Sequence, residues 1–346
     1  MVFSERNETF AALDLGTTNC RLLVARPGRD GLRVVDSFSR IVRLGEGLDA
    51  SGALSEAAIR RTIDALAVCA AKIGGHHVTR RRFVATEACR RASNCADFMV
   101  QVRESTGLEL EVIPTHEEAR LAVAGCAPLL DPEQRNALVF DIGGGSTEVS
   151  WVDVTYGRGN TVRTWIRSVV SLPFGVVSLT DRYRHRASTR PVYDEMVELV
   201  AAEFRDFDRR LHIGRRVARG EVQMLGSSGT VTTLAGIHAA LPRYERSLVD
   251  GTYLDFADIG RICAELVAMS SSERAAQPCI GAGRSDLMIA GCAILEAICQ
   301  IWPVGRLRVA DRGVREGILA GLWDAARQHQ WRRDHGHSQA APSGAA

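Results

Sequence analysis

Along the chain, apolar positions fall into two sets of strand-like and helix-like runs separated by one polar break. The first set opens with three short apolar or alternating runs, at 10–15, 20–26 and 32–41. Gly/Thr/Asn and Pro-Gly turns divide them, which predicts three strands. Ser55 then stands as an N-cap. Ile59, Ile63, Leu66 and Ile73 follow at near-helical spacing, and Gly74–Gly75 is predicted to end that helix. Runs at 83–86 and 108–113 read as further strands, the second ended by Pro114. Thr115 opens a helix predicted to reach Cys126. Residues 128–135 form the polar break. Beyond it, strands are predicted at 137–142, 147–154, 162–172 and 222–226, with helices at 192–211, 229–240, 255–269, 285–301 and 315–328. Residues 329–346 are polar, small and repetitive, and predict a disordered tail.

Strands alternating with helices make this an α/β protein. The break divides it into a first domain at 1–131 and a second at 132–328, with the last helix free to pack back on the first. An internal pseudo-repeat sharpens that division. Residues 10–22 read FAALDLGTTNCRL and residues 138–149 read LVFDIGGGSTEV. Each is an apolar strand ending in Asp, then one apolar residue, Gly, a small polar loop and a returning strand. Two such halves imply a duplicated domain around a central cleft.

Composition narrows the class. The chain has 346 residues, 46% hydrophobic and 24% charged, which argues against wholesale disorder. No run approaches the roughly 18 uninterrupted apolar residues of a membrane span. The first ten residues lack a basic segment followed by an apolar one, so no signal peptide is read and a cytoplasmic location is expected. Nine cysteines form no CxxC pair, which leaves zinc ribbons and thioredoxin motifs unsupported. With 43 basic and 41 acidic residues the protein is not a polycation. Lys72 is the only lysine. That arginine bias fits a codon preference or selection for bidentate phosphate recognition.

The Asp-x-Gly turns carry the candidate chemistry. Glycine lets backbone approach a ligand, and consecutive N–H groups with Ser/Thr hydroxyls can cradle a phosphate. A strand-end Asp can hold magnesium through waters. One such hairpin is an ordinary tight turn; two, the second followed by GGGST, point to a phosphate chain gripped from both sides. A third loop, Gly226-Ser227-Ser228-Gly229-Thr230, lies between a strand and a helix and could offer a helix N-terminus to an anion.

DLGTTNCRL and DIGGGSTEV resemble the two phosphate loops of the actin/Hsp70/sugar-kinase superfamily. Four more segments narrow the resemblance to the exopolyphosphatase/guanosine pentaphosphate phosphatase (Ppx/GppA) family. They are ATEACRRASN (85–94), HEEARLAVAG (116–125), GSSGTVTTLAG (226–236) and ADRGVREGIL (310–319), in the family's order. The resemblance spans about residues 10–325. It implies duplicated actin-like (ribonuclease H-like) domains flanking a cleft, in a short two-domain form. It also implies a hydrolase that releases terminal orthophosphate from polyphosphate, or the 5′-phosphate of guanosine pentaphosphate. Magnesium is the implied cofactor and a homodimer the implied assembly.

The resemblance assigns roles by position. Glu118 matches the glutamate that activates water. Asp141 and Glu148 match acids of the second loop associated with magnesium and the nucleophilic water, and Asp14 the acid of the first. Gly16, Thr17, Gly143, Gly144, Gly145 and Ser146 match phosphate-cradling positions, joined by Gly226, Ser228 and Gly229 of the third loop. Arg21 and Arg90 match arginines able to meet phosphate. By spacing alone, Thr115 and Glu118 form a capping box, and Glu117 competes with Glu118 as the base. Arg91 stands where the family often has an acid, and Thr18-Asn19 replaces Asn-Ser.

Residues 158–219 hold thirteen arginines and seven acids. They read as solvated helix faces with local salt bridges, or as a track for a polyanion. Aromatics are not interleaved there, so nucleic-acid base stacking has no support. Two other readings remain: a kinase of the same superfamily, and a non-catalytic alarmone or nucleotide sensor.

Overall fold

The computed structural model describes residues 8–29, 31–157, 162–186 and 189–336. The first sheet contains β1 (Phe10–Leu15), β2 (Asn19–Gly28), β3 (Gly31–Ile41), β4 (Arg80–Ala85) and β5 (Glu111–Val112), in spatial order β3-β2-β1-β4-β5. The second contains β6 (Asn136–Ile142), β7 (Thr147–Tyr156), β8 (Val162–Leu172), β9 (Val222–Ser228), β10 (Tyr253–Asp255) and β11 (Arg306–Ala310), in order β10-β11-β9-β6-β7-β8. Each sheet is an antiparallel three-strand meander extended by parallel strands. The second repeats the first and adds the antiparallel edge strand β10.

The central strands are buried on both faces, which explains their unbroken apolar runs. On β1, Ala11 and Leu13 pack towards Ile59 and Leu66 of helix Glu56–Gly75. Phe10 and Ala12 pack the other way, against Ile318 and Leu319 of the last helix, Val314–Gly336. That helix therefore returns to the first sheet. Helix Thr115–Cys126 lies between the two halves: Leu121 and Ala122 join the first half's core, Val123 and Cys126 the second's.

Several boundaries differ from the expectation. Ser55 does cap its helix, accepting from the Ala58 N–H at 3.2 Å, but Gly74 and Gly75 are its last turn and His77 takes the left-handed conformation. Helix Met288–Ile301 starts three residues late, after a turn at 284–287. The predicted strand at 108–113 shrinks to the two residues of β5. Short helices at Glu87–Arg91, Cys95–Thr106 and Val176–Arg182 were not expected; two are too short to show a period. The expected tail is helical through Gly336, because residues 329–335 contain no Gly or Pro to stop it; residues 337–346 lie outside the described residues. Most described arginines of 158–219 pair locally, as Arg184 with Asp181, Arg190 with Asp194 and Arg205 with Glu198.

Candidate active site

The two Asp-x-Gly loops are the same turn made twice. Gly16 N–H donates to Asn19 O at 2.9 Å, and Gly143 N–H to Ser146 O at 2.9 Å. The loops meet across the cleft. A Cβ on Gly144 would lie 2.1 Å from Thr18 Oγ1, and one on Gly145 would lie 2.9 Å from Thr17 Oγ1. Only glycine permits that approach. Among the described residues, the N–H groups of Gly144 and Gly145 have no protein acceptor. Thr18 Oγ1 and Asn19 Oδ1 are buried without a partner. The two loops thus bring unpaired polar groups together where they meet.

Strand register places the acids. Asp14 stands one residue before the end of β1, opposite Arg21 of β2, and Asp141 one residue before the end of β6, opposite Glu148 of β7. Both aspartates line the cleft, and among the described residues neither carboxylate accepts a protein hydrogen bond. Burial raises both above the ordinary carboxylate range, Asp141 to about 7, against the pull of Arg21. Glu148 accepts from Ser146 Oγ and Ser171 Oγ, each at 2.7 Å. Burial nevertheless pushes it up to about 7.

Glu118 is not in a capping box. The helix begins one residue earlier than its spacing suggests: Pro114 is the N-cap, and its carbonyl takes the Glu117 and Glu118 N–H groups at 3.0 and 3.1 Å. The Glu118 carboxylate lines the cleft, where Arg90 Nη1 donates to Oε2 at 2.7 Å. Burial, reinforced by the charge of Glu148, raises Glu118 to about 8 against Arg90's opposing pull. Glu117 instead pairs with Arg120 and Arg82, which lower it to about 2.

Gly16, Thr17, Arg21, Gly143, Gly144, Gly145, Ser146, Ser228 and Gly229 all line the same cleft. Ser228 Oγ is engaged as the N-cap of helix Gly229–His238, accepting from Val231 N–H at 2.9 Å. Three expected residues are not on the cleft wall, and Glu148 is one, buried behind it on its two serine partners. Gly226 is small for packing: a Cβ there would strike the Phe140 ring at 2.4 Å. Arg90 lies behind the wall, spending its donors on Glu87, Glu118 and the Ile113 carbonyl.

Sequence reasoning passed over Glu87 and Arg284, which also line the cleft. Arg284 sits in an irregular turn with no periodicity to reveal it. Among the described residues, the guanidinium groups of Arg21 and Arg284 have no hydrogen-bond or ion-pair partner. Burial, with Arg21 nearby, lowers Arg284. Past Asp14 and Asp141 the cleft opens into a second lobe walled by Arg21, Arg284, Arg312 and Arg315.

Among the described residues, no three His, Cys, Asp or Glu side chains converge closely enough to hold a metal by themselves. Magnesium takes one or two carboxylates and completes its shell with phosphate oxygens and waters. Asp14 and Asp141, free acceptors on the cleft, fit that donor set. Glu148, already bonded to two serines, fits direct ligation less well.

Paired phosphate loops, strand-end acids and a helix-borne glutamate have counterparts among known proteins. A model of the Ppx/GppA phosphatase family matches residues 23–326. The chain belongs to the Ppx/GppA phosphatase family. Exopolyphosphatase 2 of Mycobacterium tuberculosis is 32% identical over 327 residues, covering 90% of this chain and 98% of its own. The crystal structure of the Aquifex aeolicus Ppx/GppA family member aligns with a TM-score of 0.73 at 29% identity, over 93% of this chain and 98% of that one. An exopolyphosphatase from Cytophaga hutchinsonii shares the fold, with a TM-score of 0.79 at 24% identity over 92% and 98% of the two chains. This Ppx/GppA protein is therefore a phosphatase of actin-like fold, and the kinase reading falls away. No helix among its described residues is long and apolar enough to cross a membrane.

Proposed function

We propose that this phosphatase releases terminal orthophosphate from inorganic polyphosphate, with Glu118 as the base that activates water. The observation that carries the reading is the placement of Glu118. It is a buried carboxylate of raised basicity, on the same cleft wall as both phosphate loops, the second of which has free N–H groups at Gly144 and Gly145. In its ionised form, a carboxylate with a proton affinity near neutral is suited to take a proton from water. The water oxygen attacks the terminal phosphorus, its proton passes to Glu118, and the bridging P–O bond breaks. The shortened chain leaves with the bond's electron pair.

Gly144 and Gly145 N–H groups, Arg21 and Arg284 bind non-bridging oxygens. Their charge is worth most in a water-poor site. Asp14 and Asp141 would hold magnesium, which when bound neutralises phosphate charge. Glu148, anchored by Ser146 and Ser171, orders the water network beside it. The M. tuberculosis relative's name favours polyphosphate as the substrate. Guanosine pentaphosphate presents the same terminal phosphoanhydride chemistry. We place the reaction in the cytoplasm and the working unit as a homodimer, which light scattering tests directly.

The deciding experiment measures phosphate release from polyphosphates of several lengths, guanosine pentaphosphate, ATP and GTP, with and without magnesium. Release from polyphosphate that requires magnesium supports the reading. Binding without release would return the sensor reading.

A further inference from the structure

Arg90 stands between Glu118 and Glu87, and Glu87, which has no role in the reaction above, also faces Arg91 Nε at 3.9 Å through its other oxygen. Arg90 Nε and Nη2 donate to Glu87 Oε2 at 3.1 and 2.7 Å, while Nη1 donates to Glu118 Oε2 at 2.7 Å and Ile113 O at 2.9 Å. The Arg90, Glu87 and Glu118 side chains are 15%, 15% and 14% exposed, so this arrangement is largely shielded from water. Four of the five guanidinium donors are thereby committed, and the planar fork cannot turn without breaking them. Glu87 also crosses the cleft. A Cβ on Gly145 would lie 3.2 Å from Glu87 Cγ, so this side chain rests on the second phosphate loop.

We propose that Glu87 is a positioning residue for the hydrolysis: it fixes Arg90 in orientation and shares its charge, so that Glu118 is held in place without being neutralised. The inference rests on the reading of Glu118 as the base. Alone beside one arginine, Glu118 would be locked in a simple ion pair and made a weaker base. A second carboxylate on the far side of the guanidinium divides that attraction. The same negative charge, lying against the phosphate loop, repels the incoming polyanion. Glu87 therefore favours turnover at some expense in substrate binding.

The test is steady-state phosphate release from polyphosphate by the full chain with magnesium, comparing wild type, Glu87→Gln, Arg90→Lys, the double variant and Glu118→Gln. Glu87→Gln keeps the shape and removes the charge. Its kcat is expected to fall about tenfold, while KM stays level or drops. A purely structural lesion would raise KM and lower the melting temperature. Arg90→Lys removes the shared fork, so adding Glu87→Gln to it costs little more. A kcat within twofold of wild type, a KM that rises as kcat falls, or multiplicative losses in the double variant overturns the inference. Wild-type turnover by Glu118→Gln overturns the underlying reading instead. If Glu87→Gln fails to fold, Arg90→Lys carries the test: kcat falling with KM level supports the inference, and an unchanged kcat overturns it.

Discussion

Glu117 and Glu118 are consecutive on one helical turn, yet their carboxylates meet opposite surroundings. Arg120 and Arg82 hold Glu117 as a strong acid of pKa about 2, whereas burial leaves Glu118 a weak acid of about 8 facing the phosphate loops. Only the second has the proton affinity of a general base, acting in its ionised fraction, which grows as pH rises towards 8. Glu118→Gln is expected to cut turnover by roughly 10²–10⁴ with the fold intact. Glu117→Gln should retain most activity. Phosphate-release rates and circular dichroism of the two variants check this, and the reverse ranking would sink the assignment.

Glu117 also makes a signed prediction about stability. Its folded pKa is depressed, so its arginine pairing contributes fully above the unfolded value of about 4.5. The contribution is lost as pH falls from there towards 2. Urea unfolding of wild type and Glu117→Gln should therefore differ at pH 7, and the gap should narrow as the medium is acidified. A gap independent of pH would rule out the pairing as its source.

The buried acids in and behind the cleft act in the opposite sense. Glu118, Asp141 and Glu148 have raised pKa values of about 8, 7 and 7, so between roughly 4.5 and those values the folded state binds protons that the unfolded chain has released. The metal-free protein is expected to be more stable near pH 5.5 than near pH 8.5. Magnesium should restore part of the loss at high pH, because a cation supplies the charge that burial withholds. Melting curves in chelator and in magnesium, at both pH values, measure the effect. Equal metal stabilisation at both would argue against the acids as its origin.

The duplicated sheet and both phosphate loops could be read from sequence because they rest on local pattern. Buried strands give unbroken apolar runs, and each ends in Asp-x-Gly. Gly226, Arg90 and Thr115 show where that legibility stops. The third loop's motif does not say that Gly226 makes room for the Phe140 ring, because that neighbour comes from another strand. Arg90 matches a phosphate-binding position, while its actual partners include Glu118, 28 positions away. Thr115 has the spacing of a capping residue, but Pro114 is the N-cap and Thr115 the first helical residue, and Glu118 meets Arg90 rather than the helix end. Arg284 reaches the site from an irregular turn, where no periodicity exists to read. In each case tertiary placement overrides a local signal.

The helix that carries Glu118 is seated on the last helix by side-chain packing of Leu121 and Ala122 and by close backbone contact at two glycines. A Cβ on Gly125 would fall 2.0 Å from Gly313 O, and one on Gly317 would fall 2.0 Å from Leu121 O. Helices Thr115–Cys126 and Val314–Gly336 thus cross with no room for a methyl group, and backbone atoms cannot yield as a flexible side chain would. Overpacking costs about 1–3 kcal/mol where side chains can adjust, so Gly125→Ala and Gly317→Ala should each lose at least about 3 kcal/mol. Gly321 lies on the same helix with nothing within 4 Å of its would-be Cβ. Gly321→Ala should therefore stabilise by about 0.5–1 kcal/mol through helix propensity alone. Denaturant titration of the three variants separates propensity from packing. Because the crossing also fixes the position of Glu118, Gly125→Ala should lose phosphate release at temperatures where it is still folded. If Gly125→Ala is as stable as Gly321→Ala, the close crossing does not hold the two halves together.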